Sequence, residues 1–113
     1  MASIVDLYID QGSDFYAELV LENEDRNIID LTGFEIYSQF RKSPGTPTYY
    51  TFETDIVDQP ALGKISLSLP GMVSTNIKPG RYLYDVEIVD SINNIRLRVV
   101  EGVVIVTPEI TRI

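Results

Sequence analysis

The fold of this chain is decided by residues 78–112, which read KPGRYLYDVEIVDSINNIRLRVVEGVVIVTPEITR. The Pro-Gly pair near its start is typical of a sharp chain reversal. Polar and apolar residues then alternate through 81–89, and a second turn leads into a long apolar segment over 95–106. Alternation with a period of two indicates β-strands, so the chain is predicted to be all-β.

The same alternation extends back to the N-terminus, and no window of helical length sustains an amphipathic helical pattern. About seven short strands separated by turn residues are typical of an immunoglobulin-like β-sandwich. Antiparallel pairing is expected because no crossover helix is available. At most one short helical turn is predicted, near 70–77. The predicted strands cover residues 4–9, 14–22, 34–42, 48–57, 64–69, 81–89 and 95–106.

Several local features predict how the sandwich is built. Tyr82 and Tyr84 fall on the inward side of the sixth strand. Gly102 is a candidate bulge or bend in the seventh strand, which is either central in its sheet or covered by a neighbouring subunit near 103–106. Ser-Pro-Gly-Thr at 43–46 predicts a type II turn. One end of the sandwich is predicted to be plugged by Met72, Val73 or Ile77.

Size and composition limit what this chain can do. Its 113 residues fit one domain over 1–113, with 108–113 as a tail. A chain of this length buries about 65% of the surface that it exposes when unfolded, so its core does not need disulfides or a bound metal for stability. It contains no cysteine and no histidine, so disulfides, thiolate metal sites and histidine general bases are excluded. The formal net charge of −8 disfavours nucleic acid and anionic membranes as partners.

No apolar run approaches the length of about 20 residues that a membrane-spanning helix needs. The N-terminal residues Met1, Ala2 and Ser3 lack the basic region and the apolar segment of a signal peptide. We therefore expect a soluble product made in a cytoplasm.

The many aspartates could in principle form acid–base pairs, but most fall at predicted turns, where aspartate caps loops. Asp85 and Glu87 come nearest to a pair on one face, and they are expected to meet a cross-strand arginine such as Arg96 or Arg98. No calcium loop, phosphate-binding glycine loop or nucleophile elbow is present. The sequence thus predicts no catalytic, cofactor-binding or metal-binding residue, no cofactor and no enzyme activity.

Three tyrosines, Tyr16, Tyr37 and Tyr49, fall on predicted outer faces. Tyrosine combines a large apolar ring with a polar tip, so these side chains could stack on sugars or on another protein. Ordinary cross-strand aromatic pairing is the favoured interpretation for each of them taken singly.

The chain resembles small immunoglobulin-like proteins of tailed phages and prophages, similar to the N-terminal domain of the siphophage upper baseplate protein. The resemblance rests on the order of six segments rather than on any one of them. These are QGSDF at 11–15, DLTGF at 30–34, QFRK at 39–42, GKISL at 63–67, GRYLYDVE at 80–87 and EGVVIVTPE at 101–109.

The resemblance implies a non-catalytic virion structural protein of the tail, baseplate or neck, located in the virion and assembled in the host cytoplasm. Its implied partners are other phage virion proteins, with homo-oligomers also possible. The alternative hypothesis is a carbohydrate-binding or adhesive sandwich module that uses the surface tyrosines. An acidic hydrolase is a third and weaker hypothesis.

Overall fold

A computed structural model describes residues 2–112, which form nine β-strands in two facing sheets. Both sheets present apolar residues to the space between them, so the all-β sandwich prediction is confirmed. The strands are β1 (Ser3–Ile4), β2 (Leu7–Asp10), β3 (Phe15–Val20), β4 (Glu35–Arg41), β5 (Tyr50–Thr51), β6 (Glu53–Ile56), β7 (Lys64–Leu69), β8 (Gly80–Asp90) and β9 (Ile95–Thr107).

The larger sheet has the order β1-β9-β8-β4-β5, with β2 also paired to β9, and the smaller sheet has the order β3-β7-β6. The expectation of wholly antiparallel pairing is wrong at the N-terminus, where β1 and β2 run parallel to β9. No crossover helix is needed there, because β2 and β9 lie at opposite ends of the chain and most of the sandwich connects them. The C-terminal half of β9 is interior in its sheet, with β1 and β2 on one side and β8 on the other, as the first of the two alternatives for this strand predicts.

The predicted fourth strand, 48–57, is divided between the two sheets. Tyr50 and Thr51 pair with β4 in the larger sheet, whereas β6 pairs with β7 in the smaller one. The crossing occurs at Phe52, whose N–H donates to the carbonyl of Ser38 at 3.0 Å. The buried ring of Phe52 packs between Phe40 and Phe15, with centroids 4.9 and 5.6 Å away.

The core contains Ile65, Leu67, Tyr82 and Tyr84, all buried as predicted. The hydroxyl of Tyr82 donates to the carbonyl oxygen of Lys78, four residues earlier. This contact is the tyrosine corner of immunoglobulin-like domains, which lies two residues before the position where many such domains keep a cysteine. Tyr84 occupies that position, and its ring packs edge-on against Phe52 with centroids 6.2 Å apart.

The bulge in β9 lies at Val99, not at Gly102. Val86 pairs with Val100 and Glu87 with Arg98, so Val99 is the extra residue. Because of this bulge, Val99 and Val100 are both buried although they are neighbours in the chain. Gly102 has a different role: a Cβ there would lie 2.1 Å from the carbonyl oxygen of Val5, so the glycine permits the close approach of the N-terminal segment.

One end of the sandwich is closed by the single-turn helix α1 (Gly71–Ser74) and the residues after it. Ile77 is the plug, being fully buried, whereas Met72 and Val73 are exposed. The connection between β2 and β3 holds this turn in place. Gln11 Nε2 donates to the carbonyl of Ile77 at 3.0 Å, and Asp14 Oδ1 accepts from the N–H of Gly71 at 2.7 Å.

Three smaller features differ from the sequence predictions. A 3₁₀ turn at Pro60–Leu62 is present in addition to α1. The turn at 43–46 has an N–H of Thr46 bonded to the carbonyl of Ser43, but Gly45 lacks positive φ, which excludes type II. In the predicted tail, Glu109 is held by a 3.0 Å bond from its N–H to Gln11 Oε1, whereas Ile110 is exposed.

Candidate protein-binding surface

An open groove of about 640 Å³ runs across the outer face of the larger sheet. We call it the sheet groove. It is lined by residues of β8 and β9 at its centre, and by β4, the 43–46 turn and the N-terminal segment at its margins. The residues that define its character are Ile4, Arg41, Leu83, Asp85, Arg98 and Val103.

Strand alternation places these side chains on the outer face. Tyr82, Tyr84 and Val86 of β8 are buried in the core, so the residues between them must point away from it. The register sets Leu83 between Val103 on β9 and Arg41 on β4. The half-buried pair Leu83 and Val103 therefore forms an apolar strip in the middle of the groove.

Arginine–carboxylate pairs flank this strip. Arg98 Nε lies 3.0 Å from Asp85 Oδ2, and Arg98 Nη1 lies 3.5 Å from Glu101 Oε2. Arg96 bonds Glu87 through both Nε and Nη2, at 3.1 and 3.2 Å. The predicted cross-strand pairing of Asp85 and Glu87 with Arg96 and Arg98 is confirmed. Exposed pairs of this kind contribute under about 1 kcal/mol each, so they define the surface more than they stabilise the fold.

Asp85 is a partly desolvated carboxylate of the groove. Burial raises its pKa above the ordinary value, and Arg98 only partly opposes that shift. Glu87 and Glu101, which lie on the same face, raise the pKa further. A partly desolvated carboxylate with a single cationic partner can accept an additional donor from another molecule.

Arg41 fixes the rim of the groove. Its Nη1 donates to the carbonyl of Thr46 at 2.8 Å, and its Nη2 donates to Gln39 Oε1 at 3.1 Å. The guanidinium also lies over the ring of Tyr49, 4.5 Å from the centroid. Arg41 thus ties the 43–46 turn and Tyr49 to the sheet, which gives the groove a fixed wall.

The three tyrosines predicted to face outward are all exposed, which confirms that prediction. They lie on different parts of the molecule: Tyr16 on the smaller sheet, Tyr37 on the larger sheet and Tyr49 just before β5. The hydroxyl of Tyr16 donates to Glu18 at 2.7 Å and that of Tyr37 to Glu35. They do not share one face. A further exposed tyrosine, Tyr8, was missed because its strand was predicted by its inward residues alone.

Asp30 and Asp90 have the capping role at turns that the sequence predicts for aspartate. Asp30 Oδ1 accepts from the hydroxyl of Thr32 and from its backbone N–H, and these bonds, that of the hydroxyl first, lower the pKa of Asp30. Within residues 2–112 no three carboxylates are grouped so as to hold a metal ion. No helix in the same range is long and apolar enough to cross a bilayer.

No family model and no curated protein matches the chain. Among solved structures, InlP of Listeria monocytogenes is similar with a TM-score of 0.52 at 13% identity, over 93% of this chain and 26% of InlP. A family 123 glycoside hydrolase from Clostridium perfringens gives 0.45 at 12% identity, over 96% of this chain and 23% of the hydrolase. The NK cell receptor NKp44 gives 0.47 at 10% identity, over 95% of this chain and 99% of NKp44.

This chain therefore spans about a quarter of InlP and of the hydrolase. At 13% identity the likeness to InlP shows the fold alone. The strand order and the tyrosine corner of the chain itself are those of an immunoglobulin-like β-sandwich domain.

Proposed function

We propose that this chain is a non-catalytic structural protein of a tailed-phage virion, in the tail, baseplate or neck, and that it acts by binding other virion proteins. The ordered resemblance of its six segments to small immunoglobulin-like phage proteins supports the virion context. The sheet groove supports the binding role, and it is the observation that carries the proposal.

The composition of the groove suits a protein partner. Protein interfaces combine an apolar centre with a polar rim, and Leu83 and Val103 are flanked here by the charge pairs of Arg96 and Arg98. Because these charges are already paired within the chain, a partner can cover them without leaving an isolated charge buried. The resulting pattern of charge selects partners by electrostatic complementarity.

The alternative function, carbohydrate binding or adhesion, is favoured by the exposure of Tyr16, Tyr37 and Tyr49. Sugar-binding sites need aromatic rings that converge on one ligand, together with free polar groups around them. Here the rings are distributed over two sheets, and two of the hydroxyls already donate to neighbouring carboxylates. Binding on a glycan array that disappears with Tyr37→Ala would favour this alternative over assembly.

The assembly role is tested by mixing the chain with the products of neighbouring open reading frames and measuring the mass of complexes by light scattering. Leu83→Lys adds a charge to the apolar strip and should abolish complex formation. Leu62→Lys is the control, because it makes the same substitution at an exposed leucine that lies in the 3₁₀ turn, away from the groove. The proposal would be contradicted if mass spectrometry found none of the protein in purified phage particles. Equal binding by Leu83→Lys and Leu62→Lys would also contradict it.

A further inference from the structure

Strand β3 is an open edge of the smaller sheet. It pairs with β7 along its whole length, Phe15 to Val20, and no other strand in residues 2–112 pairs with its second side. An edge strand presents a row of unpaired N–H and C=O groups, which can pair with a strand from another chain.

The edge strands β5 and β6 are protected in ways that natural sheets use, and β3 is not. Short length, charge, proline and bulges discourage edge pairing. β5 has two residues, and β6 has four, of which Glu53 and Asp55 are charged. β3 has six residues, with no proline, glycine or lysine and a single charge at Glu18. Its register with β7 is unbroken, so no bulge twists the edge away.

The inward side chains of β3 are also incompletely covered. Phe15, Ala17 and Leu19 face the core yet are only half-buried, in contrast to Ile65 and Leu67 opposite them on β7, which are fully buried. A strand added at this edge would cover them, and the burial of apolar area favours association at about 25 cal/mol per Å² before the entropic cost.

We propose that β3 pairs antiparallel with β3 of a second copy of this chain, about a two-fold axis through Ala17. Residues directly opposite each other in a sheet share a face. Because side chains alternate along β3, the two-fold axis must set one residue opposite its own copy. An axis midway between two residues would set an inward side chain opposite an outward one. Only axes at Ala17 and Glu18 pair five residues of each strand.

Charge decides between these two axes. An axis at Glu18 sets Glu18 against its own copy, and like charges directly opposite each other destabilise a sheet. An axis at Ala17 sets Tyr16 against the partner's Glu18, and sets Phe15 against the partner's Leu19. Tyr16 and Glu18 are compatible neighbours, since their side chains already bond at 2.7 Å within one chain.

Cysteine cross-linking tests the register directly, because the chain contains no cysteine of its own. Paired residues on neighbouring strands bring Cα atoms within the range of about 4.4–6.8 Å that a disulfide allows. Ala17→Cys should therefore link to itself, with at least ~10-fold more dimer than Glu53→Cys on the opposite edge strand β6. The reaction is run at about 0.5 M NaCl to screen the repulsion between two acidic chains.

A second pair of variants keeps the test independent of any effect that the Ala17→Cys substitution has on folding. A mixture of Tyr16→Cys and Glu18→Cys should give ~10-fold more disulfide-linked dimer than either variant gives alone. Only the mixture sets two thiols opposite each other. The unsubstituted chain should show the mass of a dimer by light scattering. Stronger self-linking of Glu18→Cys, equal yields from Ala17→Cys and Glu53→Cys, or a parent chain that is monomeric and pairs only with another polypeptide would each overturn the proposal.

The outcome does not depend on a role in a virion. The cross-linking uses this chain alone, and the edge lies on the smaller sheet, whereas the sheet groove lies on the larger one. A monomeric chain that still binds virion proteins would refute only the edge pairing.

Discussion

The hydroxyl of Tyr84 donates a 2.6 Å hydrogen bond to the backbone carbonyl oxygen of Val5, which lies 79 residues earlier in the chain. Tyr84 is on the central strand β8, and Val5 is the link between β1 and β2. This bond ties the N-terminal segment to the core at the point where it runs beside β9, with the N–H of Val5 bonded to the carbonyl of Glu101 at 3.0 Å.

Replacing Tyr84 with phenylalanine tests the strength of this tie. Tyr84→Phe keeps the ring and removes the donor, so unfolding should become easier by about 1 kcal/mol, the usual net contribution of a hydrogen bond. The free energy of unfolding from urea denaturation measures the loss. Tyr8→Phe is the matched control, because Tyr8 is exposed and should change nothing. Equal effects of the two substitutions would show that the hydroxyl of Tyr84 has no special role.

A charge at the same position tests the assignment of β8 to the core. Tyr84→Asp buries an unpaired carboxylate, which is among the costliest single changes in a protein, and should give insoluble or unfolded protein. Glu53→Gln, on the exposed side of β6, should be silent. Circular dichroism and the thermal melt report both results. A soluble Tyr84→Asp variant with a cooperative melt would contradict the arrangement of the core.

The buried tyrosines predict a loss of stability at high pH. Burial raises the pKa of Tyr84 well above its ordinary value of about 10, and the nearby carboxylate of Asp6 adds to the shift. Burial also raises the pKa of Tyr82. A tyrosine whose pKa is higher in the folded than in the unfolded state stabilises the fold fully below its unfolded-state pKa. This contribution is lost as the pH rises from the unfolded-state pKa through the folded-state pKa.

Stability should therefore hold up to about pH 10 and fall above it, with a shallower fall for Tyr84→Phe. The near-ultraviolet absorbance of tyrosinate gives an independent measurement, in which the buried rings of Tyr82 and Tyr84 should ionise at a higher pH in the folded chain than in the unfolded chain. Ionisation of all seven tyrosines together in folded protein would contradict the burial of these two rings.

The turn at Asp90 should lose stability as the pH falls, in contrast to the buried tyrosines, whose contribution is lost as the pH rises. Its carboxylate accepts from the side-chain amide of Asn93 at 2.8 Å and from the backbone N–H groups of Asn93 and Ile92 at 3.2 and 3.1 Å. These bonds, that of the Asn93 side chain first, lower the pKa of Asp90. The ionised group therefore stabilises the turn above the ordinary pKa of about 3.9, and that contribution is lost as the pH falls through the lower folded value.

Asp90→Ala should be less stable than the parent chain at neutral pH, and the difference should shrink below about pH 4. Paired urea titrations at neutral and acidic pH measure it. Asp25→Ala serves as the control at another turn, because Asp25 is exposed, its backbone lacks positive φ and its carboxylate lacks such bonds within residues 2–112. A difference between Asp90→Ala and the parent chain that does not vary with pH would show that the ionised carboxylate does not stabilise the turn.

Local alternation was enough to predict most strands, because each sheet has one face toward a dry core. The pattern at Lys64–Leu69 gave the bounds of β7 without error, and the alternation of β8 placed Asp85 and Glu87 beside the arginines of β9. Ser66 is the exception on β7: it faces outward but is buried, because its neighbours Glu18 and Asp55 on the flanking strands are larger.

What could not be predicted depends on contacts between distant residues. The parallel pairing of Leu7 with Val104 has no local signal, nor does the crossing of the chain between sheets at Phe52. The bulge at Val99 was visible only as a loss of alternation, and a glycine nearby was the more obvious candidate. The sheet groove was missed because it requires Leu83 and Val103 to be set side by side by the register.

Gly102 offers the sharpest test of how the N-terminal segment is held. A Cβ at this position would lie 2.1 Å from the carbonyl oxygen of Val5 and 2.8 Å from its carbonyl carbon, and neither atom is the end of a flexible side chain. Gly102→Ala must therefore push β1 and the Val5 link away from β9, which strains or breaks the bond from Tyr84. Overpacking of this kind costs about 1–3 kcal/mol.

Gly45→Ala is the control, since a Cβ there meets no atom within 4 Å and the backbone lacks positive φ. It should leave the melting temperature unchanged, whereas Gly102→Ala should lower it. Hydrogen exchange locates the effect: the N–H of Val5 should lose protection in Gly102→Ala while amides in β7 keep theirs. If the two alanine variants have the same melting temperature, the carbonyl oxygen of Val5 does not lie within 2.1 Å of the position of a Cβ at residue 102.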